Sequence, residues 1–166
     1  RALQVGALAT LLLPAHHVMS DHVAPIYYVY HALAAFETPP AAVMPELHEL
    51  RAIRALERGE VVEAAEALSL AIRLSSNPAA PARARGVLFA TQNRWKEAAQ
   101  DFTTVVEHDP DNPDGWFLRA QARLATGEVG GAQADMKAAV ARAPARWLER
   151  PDVVRFTTRL RDRVGK

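Results

Sequence analysis

Apolar positions between residues 45 and 146 fall into pairs of short helical stripes, and the pairs recur every 34 residues. When 45–78, 79–112 and 113–146 are written one under another, the same chemical type falls in the same column. Ala52, Gly86 and Ala120 share one column, and Val61, Trp95 and Val129 a second. Ala64, Ala98 and Ala132 form a third, and Leu68, Phe102 and Met136 a fourth. Small side chains are needed where two helices touch closely, and large apolar ones where the space between helices must be filled. The pattern predicts first helices over 45–58, 79–92 and 113–126, and second helices over 61–75, 95–108 and 129–142. Each pair is too short to bury both of its faces, so neighbouring pairs must stack to make a core.

Alanine supplies 33 of the 166 residues, so the rarer columns carry more of the argument. Gly59, Asn93 and Gly127 align where each first helix must end, a place that needs residues tolerant of the left-handed backbone region. Pro110 and Pro144 align where a second helix must stop, because proline cannot continue a helix from within. The first unit departs here, with Ser76 in the proline column and Pro78 two positions later.

These columns resemble the tetratricopeptide repeat, whose units carry small residues at repeat positions 8 and 20, a bulky one at 24 and proline at 32. The middle unit matches through Gly86, Phe89, Ala98, Phe102 and Pro110, followed by the turn-like segment His108-Asp109-Pro110-Asp111-Asn112. The last unit adds Trp116 at the large aromatic position, where the first unit has His48. The resemblance implies an all-α, right-handed helical-repeat solenoid acting as a non-enzymatic scaffold or adaptor that binds a protein or peptide partner.

Both flanks lie outside the repeat. Pro39-Pro40 separates the array from an apolar N-terminal segment, residues 1–44, expected to form helices near 2–13 and 22–37. From Ala2 to Ser20 it has no charged side chain, but Gln4, Thr10, Pro14, His16 and His17 interrupt it. Three readings stay open for it: a cap on the first repeat, a membrane anchor with Tyr27, Tyr28 and Tyr30 at the interface, or a docking patch in a larger complex. Residues 1–15 also have the order of a signal peptide, with a basic start, an apolar run through Leu13 and Pro14-Ala15 as an end. The alternative function is therefore a membrane-associated assembly subunit held through residues 1–37. The compartment follows that choice, cytoplasmic for a cap and membrane-associated or periplasmic for an anchor. At the other flank, 147–166 is expected to close the array with one helix. Its Val153, Phe156, Leu160 and Val164 face the core, and Arg155, Arg159, Asp162 and Arg163 face solvent.

Composition narrows the class. Hydrophobic residues make 49% and charged ones 23%, a globular balance, and the absence of cysteine excludes disulfides and thiolate zinc sites. A net charge of +1 argues against nucleic acid as the partner. The charge is uneven, with six glutamates against four arginines in 45–78 and six basic against three acidic residues in 147–166.

The resemblance also implies where a partner would lie, on a concave face lined by positions 2, 5, 9, 12 and 13 of each first helix. The candidate partner-binding residues are then Glu49, Ile53 and Leu56 from the first unit, Arg83 and Val87 from the second, and Phe117, Gln121 and Leu124 from the third. An aromatic ring and an arginine on such a floor are typical anchors for a peptide. Binders of acidic chaperone tails carry lysine and asparagine at positions 5 and 9; here those positions read Glu49 and Ile53, Arg83 and Val87, then Phe117 and Gln121, which argues against that ligand. His16, His17, His22 and His31 are the nearest approach to a metal site, but their spacing does not place them on one helical face, and no metal or cofactor is expected. No phosphate loop, nucleophile elbow or zinc-protease motif occurs, so no catalytic residue is assigned.

Overall fold

The 34-residue period of the sequence is also the period of the backbone. In a computed structural model, which describes residues 45–165, first helices begin at Pro45, Ala79 and Pro113 and second helices at Val61, Trp95 and Val129. Pair one is α1 (Pro45–Glu57) and α2 (Val61–Leu74), pair two α3 (Ala79–Thr91) and α4 (Trp95–His108), and pair three α5 (Pro113–Ala125) and α6 (Val129–Arg142). A four-residue helix, α7 (Ala145–Leu148), and a closing helix, α8 (Pro151–Val164), follow. Each boundary expected for these six helices lies within a residue of the observed one. The apolar segment 1–44 and its histidines lie outside the described residues.

The turns explain that agreement. Gly59, Asn93 and Gly127 all have positive φ, at 76°, 60° and 87°, so each first helix ends on a left-handed residue that lets the chain reverse into the second. Asparagines then start the next pair. Asn77 Oδ1 accepts from the Ala79 amide at 3.2 Å, and Asn112 Oδ1 from the Asp114 amide at 3.0 Å, with Pro113 in the first turn where no amide is needed.

Stacking produces a core in three clusters. Ala52, Ala55, Ala64, Ala67, Leu68 and Leu88 make the first; Ala82, Phe89, Ala98, Phe102, Val105 and Ala122 the second. Phe117, Met136, Trp147, Val153, Phe156 and Leu160 lead the third. The small-residue column sets the distance between helices. A Cβ on Gly86 would sit 2.7 Å from Cε1 of the buried Phe102 ring, closer than atoms can approach. Gly86→Ala is therefore expected to destabilise by about 1–3 kcal/mol through overpacking, outweighing the better helix propensity of alanine. Gly130→Ala, where a Cβ meets nothing within 4 Å, should instead stabilise by about 0.5–1 kcal/mol. Urea denaturation of the two variants checks the opposite signs.

The closing segment differs from its sequence reading in two ways. Val153, Phe156 and Leu160 are buried as expected, but Val164, a turn beyond the last contact, is exposed. The helix is also preceded by α7, which buries Trp147. Trp147 Nε1 donates to Asp114 Oδ1 at 2.9 Å, and Arg150 Nη1 donates to the same oxygen at 2.7 Å. One carboxylate in the first turn of α5 thus latches the whole closing segment.

Candidate functional site

Within each pair, the first helix turns one face toward its partner helix and leaves the other for contact. The expected partner-binding residues divide accordingly. Ile53 and Leu56 on α1 are exposed, at 54% and 44%, and so is Val87 on α3, at 41%. These are large apolar side chains left in water, the feature of a surface that calls for explanation. Arg83 is also exposed and lines a cleft with Asn77, Val105, His108, Asp109 and Asn112, where two pairs meet. Glu49 is half-buried, and that burial, with Glu46 nearby, raises its carboxyl above the usual range. The preceding residue, His48, is held below the usual imidazole range by burial and by Arg51 and Arg73; its Nδ1 is buried without a hydrogen-bond partner among the described residues.

Gln121 and Leu124 lie in a different groove. Trp95, Ala125 and Gly127 line it with them, together with Asp152, Arg155, Phe156, Arg159 and Arg163 from α8. The structure therefore does not gather the eight candidates into one cavity. It sets Arg83 in one cleft, Gln121 and Leu124 in another, and Ile53 and Leu56 on open surface.

Phe117 is a correction. It is only 2% exposed, packed edge-to-face against Trp147 and Phe156 with ring centroids 5.5 and 5.4 Å away. Its position in the repeat assigned it to the partner-facing floor, but α7 and α8 cover that end of α5. Phe117 is a core residue holding the closing segment, and no partner side chain can reach it in this structure.

The electrostatic framework is a column that sequence reading did not single out. Arg85 donates to both Asp101 oxygens, Nε at 2.9 Å and Nη2 at 2.6 Å, and Nη1 reaches Ser69 Oγ at 2.7 Å. Thirty-four residues on, Arg119 makes the same fork with Asp135 at 2.9 and 2.7 Å, and Arg123 adds a third bond to Asp135 at 2.7 Å. Both aspartates are buried, so these planar two-bond pairs tie each first helix to its second from inside the stack. The first pair lacks the aspartate, with Ala67 in its column. Arg51 bonds Glu63 at 3.0 Å on the surface instead. The signal was present in the sequence as arginine and aspartate columns 34 residues apart.

Residues 83–146 match the tetratricopeptide repeat family model. No curated protein matches the chain. Among solved structures, the first repeat domain of Spaghetti (RPAP3), bound to the HSP90 peptide SRMEEVD, is similar with a TM-score of 0.64 at 11% identity, over 74% of this chain and 94% of that one. The Arabidopsis OM64 domain gives 0.61 at 22%, over 71% and 94%. The Yersinia enterocolitica secretion chaperone SycD, in complex with a peptide of the translocator YopD, gives 0.56 at 17%, over 72% and 88%. Residues 83–146 are thus tetratricopeptide repeats, and the solved structures share their fold. At these identities the likeness to each solved structure is one of fold. Tetratricopeptide repeats are generally non-catalytic modules of protein interaction, and among the described residues no group of three or more histidine or carboxylate side chains could hold a metal ion. Nor is any described helix long and apolar enough to cross a membrane.

Proposed function

We propose that this chain is a non-enzymatic scaffold that binds a peptide or protein partner along the faces of its first helices. The observation that carries the reading is the exposure of Ile53, Leu56 and Val87 on successive first helices, beside the exposed Arg83; Val62, Leu74 and Val140 are the large apolar side chains exposed on second helices. Apolar anchors flanked by a cation are the chemistry of a protein partner, because burying them gains hydrophobic energy while the guanidinium fixes orientation. The peptide complexes formed by proteins of the same fold support the same reading. The alternative, attachment to a membrane or larger assembly through residues 1–37, rests on residues outside those described.

The test is affinity capture with the full chain, identification of the partner, and measurement of its affinity for variants. Val87→Asp and Arg83→Glu are each expected to weaken binding about tenfold or more, a loss of roughly 1.4 kcal/mol. Val62→Asp, at the 74% exposed start of α2, should leave affinity within about twofold, as an exposed residue outside the contact does. Equal loss in all three variants, or none in any, contradicts the proposal.

A further inference from the structure

Charge is sorted along the described chain. Residues 45–136 carry ten basic side chains against fourteen acidic ones, whereas 137–165 carry eight basic against three acidic. One of those three, Asp152, is taken by Arg150 at 2.7 Å. Lys137, Arg146, Arg155, Arg159, Arg161 and Arg163 are all exposed and have no ion pair or side-chain hydrogen bond among the described residues. The closing end of the array is therefore a cationic surface on a body of the opposite sign.

The same end leaves aliphatic side chains in water. Val140 of α6, Leu148 of α7 and Val154 of α8 are exposed, and they line one groove with the buried Met136, Val153 and Leu160. Val140 is 44% exposed, whereas Val106, one period earlier, is only 6% exposed, so the stacking that buries this column stops here. Along α8, Val154, Thr157, Arg161 and Val164 recur at spacings of 3, 4 and 3, which puts them on one face. Thr157 lines the groove and Val164 is exposed, so the apolar patch and Arg161 share a side of the helix. The one charged side chain in the groove's lining is Lys137.

We propose that this end of the array docks on the surface of an anionic bilayer, with Val140, Leu148 and Val154 entering the boundary between headgroups and acyl chains and Lys137 and Arg161 meeting the headgroups. Aliphatic side chains beside cations supply the two components of interfacial attachment, apolar burial and attraction to anionic lipid. With the Thr157 hydroxyl spent on the Val153 carbonyl, Gln133 and Lys137 are the polar side chains left in the lining. Two such groups are few for fixing the register of a folded protein, but a fluid surface needs no register. The cleft at Arg83 differs, since it also offers Asn77, His108, Asp109 and Asn112. A second copy of this chain is a poor occupant, because an isologous contact would set the basic face against itself. Nucleic acid would leave the valines unused, and no aromatic side chain lines the groove for a base to stack on. This face is separate from the first-helix faces of the scaffold reading.

The test is co-sedimentation of the full chain with vesicles of one part phosphatidylserine to two parts phosphatidylcholine. Binding should be about tenfold or more tighter than to phosphatidylcholine alone, and should weaken as salt rises. The double variant Val140→Asp, Val154→Asp should lose about tenfold or more. Val62→Asp with Leu74→Asp, the same charge change at exposed positions of α2, should cost less than about threefold. Circular dichroism establishes that both remain folded. Lys137→Gln with Arg161→Gln, which disturbs no packed side chain, should by itself lose about fivefold or more. Binding that the α6 and α8 variants leave intact would place the contact elsewhere, residues 1–37 included, and overturn the proposal. Equal losses in the two aspartate variants, equal binding to neutral vesicles, or no binding at all would do the same. Loss of a captured protein partner in Val140→Asp, Val154→Asp, with vesicle binding unchanged, would assign this face to a protein and likewise overturn it.

Discussion

Asp135→Ala is expected to lower the stability of the array by about 3–5 kcal/mol. Asp135 is 2% exposed and accepts three short bonds, two from Arg119 and one from Arg123. Removing it leaves the largely buried Arg119 guanidinium with no counter-charge and the partly buried Arg123 with only Glu128, 3.9 Å away, and an uncompensated charge in a packed interior costs far more than the pair itself contributes. The comparison that isolates burial is Glu63→Ala. Glu63 pairs with Arg51 at 3.0 Å, but both are solvated, so its loss should cost less than about 1 kcal/mol. Urea denaturation followed by circular dichroism gives both values. Similar costs for the two would mean that the inner column of arginine–aspartate forks does not hold the helix pairs together.

Phe117→Ala carries the second large effect, about 3–5 kcal/mol for the cavity left by a buried ring. The ring joins three elements, being packed on Trp147 of α7 and Phe156 of α8 from its place on α5. Its removal should therefore release the closing segment before the rest of the array. Trp147 should then move into water, with a red shift of its emission at denaturant concentrations where the far-ultraviolet signal is still largely native. Any partner loss in this variant would reflect displacement of α8, because the ring is not presented at the surface. Native-like stability with loss of a partner would contradict the core assignment.

The repeat was legible in the sequence because its determinants are local. A left-handed residue at 59, 93 and 127 and a helix-stopping proline near 110 and 144 act within a turn of themselves, so the helix boundaries could be read column by column. Gly86 was legible for a related reason: the contact it permits, with Phe102, lies within one unit of the period. What the sequence hid is non-periodic. Phe117 sits at a position that the repeat leaves open, and only α7 and α8, which the period does not generate, cover it. Arg155, Arg159 and Arg163 of α8 share a groove with Gln121 and Leu124, so a row read as a solvated face lines a groove instead. The inner Arg85–Asp101 and Arg119–Asp135 pairs lie between these cases. Their columns were visible, but sixteen residues separate the partners in sequence, and apolar columns alone do not register them.

If the first-helix faces hold the partner, backbone amide shift mapping will place the contact on them residue by residue. On titration with the captured partner's binding segment, the largest shifts are expected at Ile53, Arg83, Val87, Gln121 and Leu124, with the second-helix surface around Val62 and Val140 unmoved. Shifts concentrated at Val62 and Val140, with the first-helix residues silent, would contradict that placement.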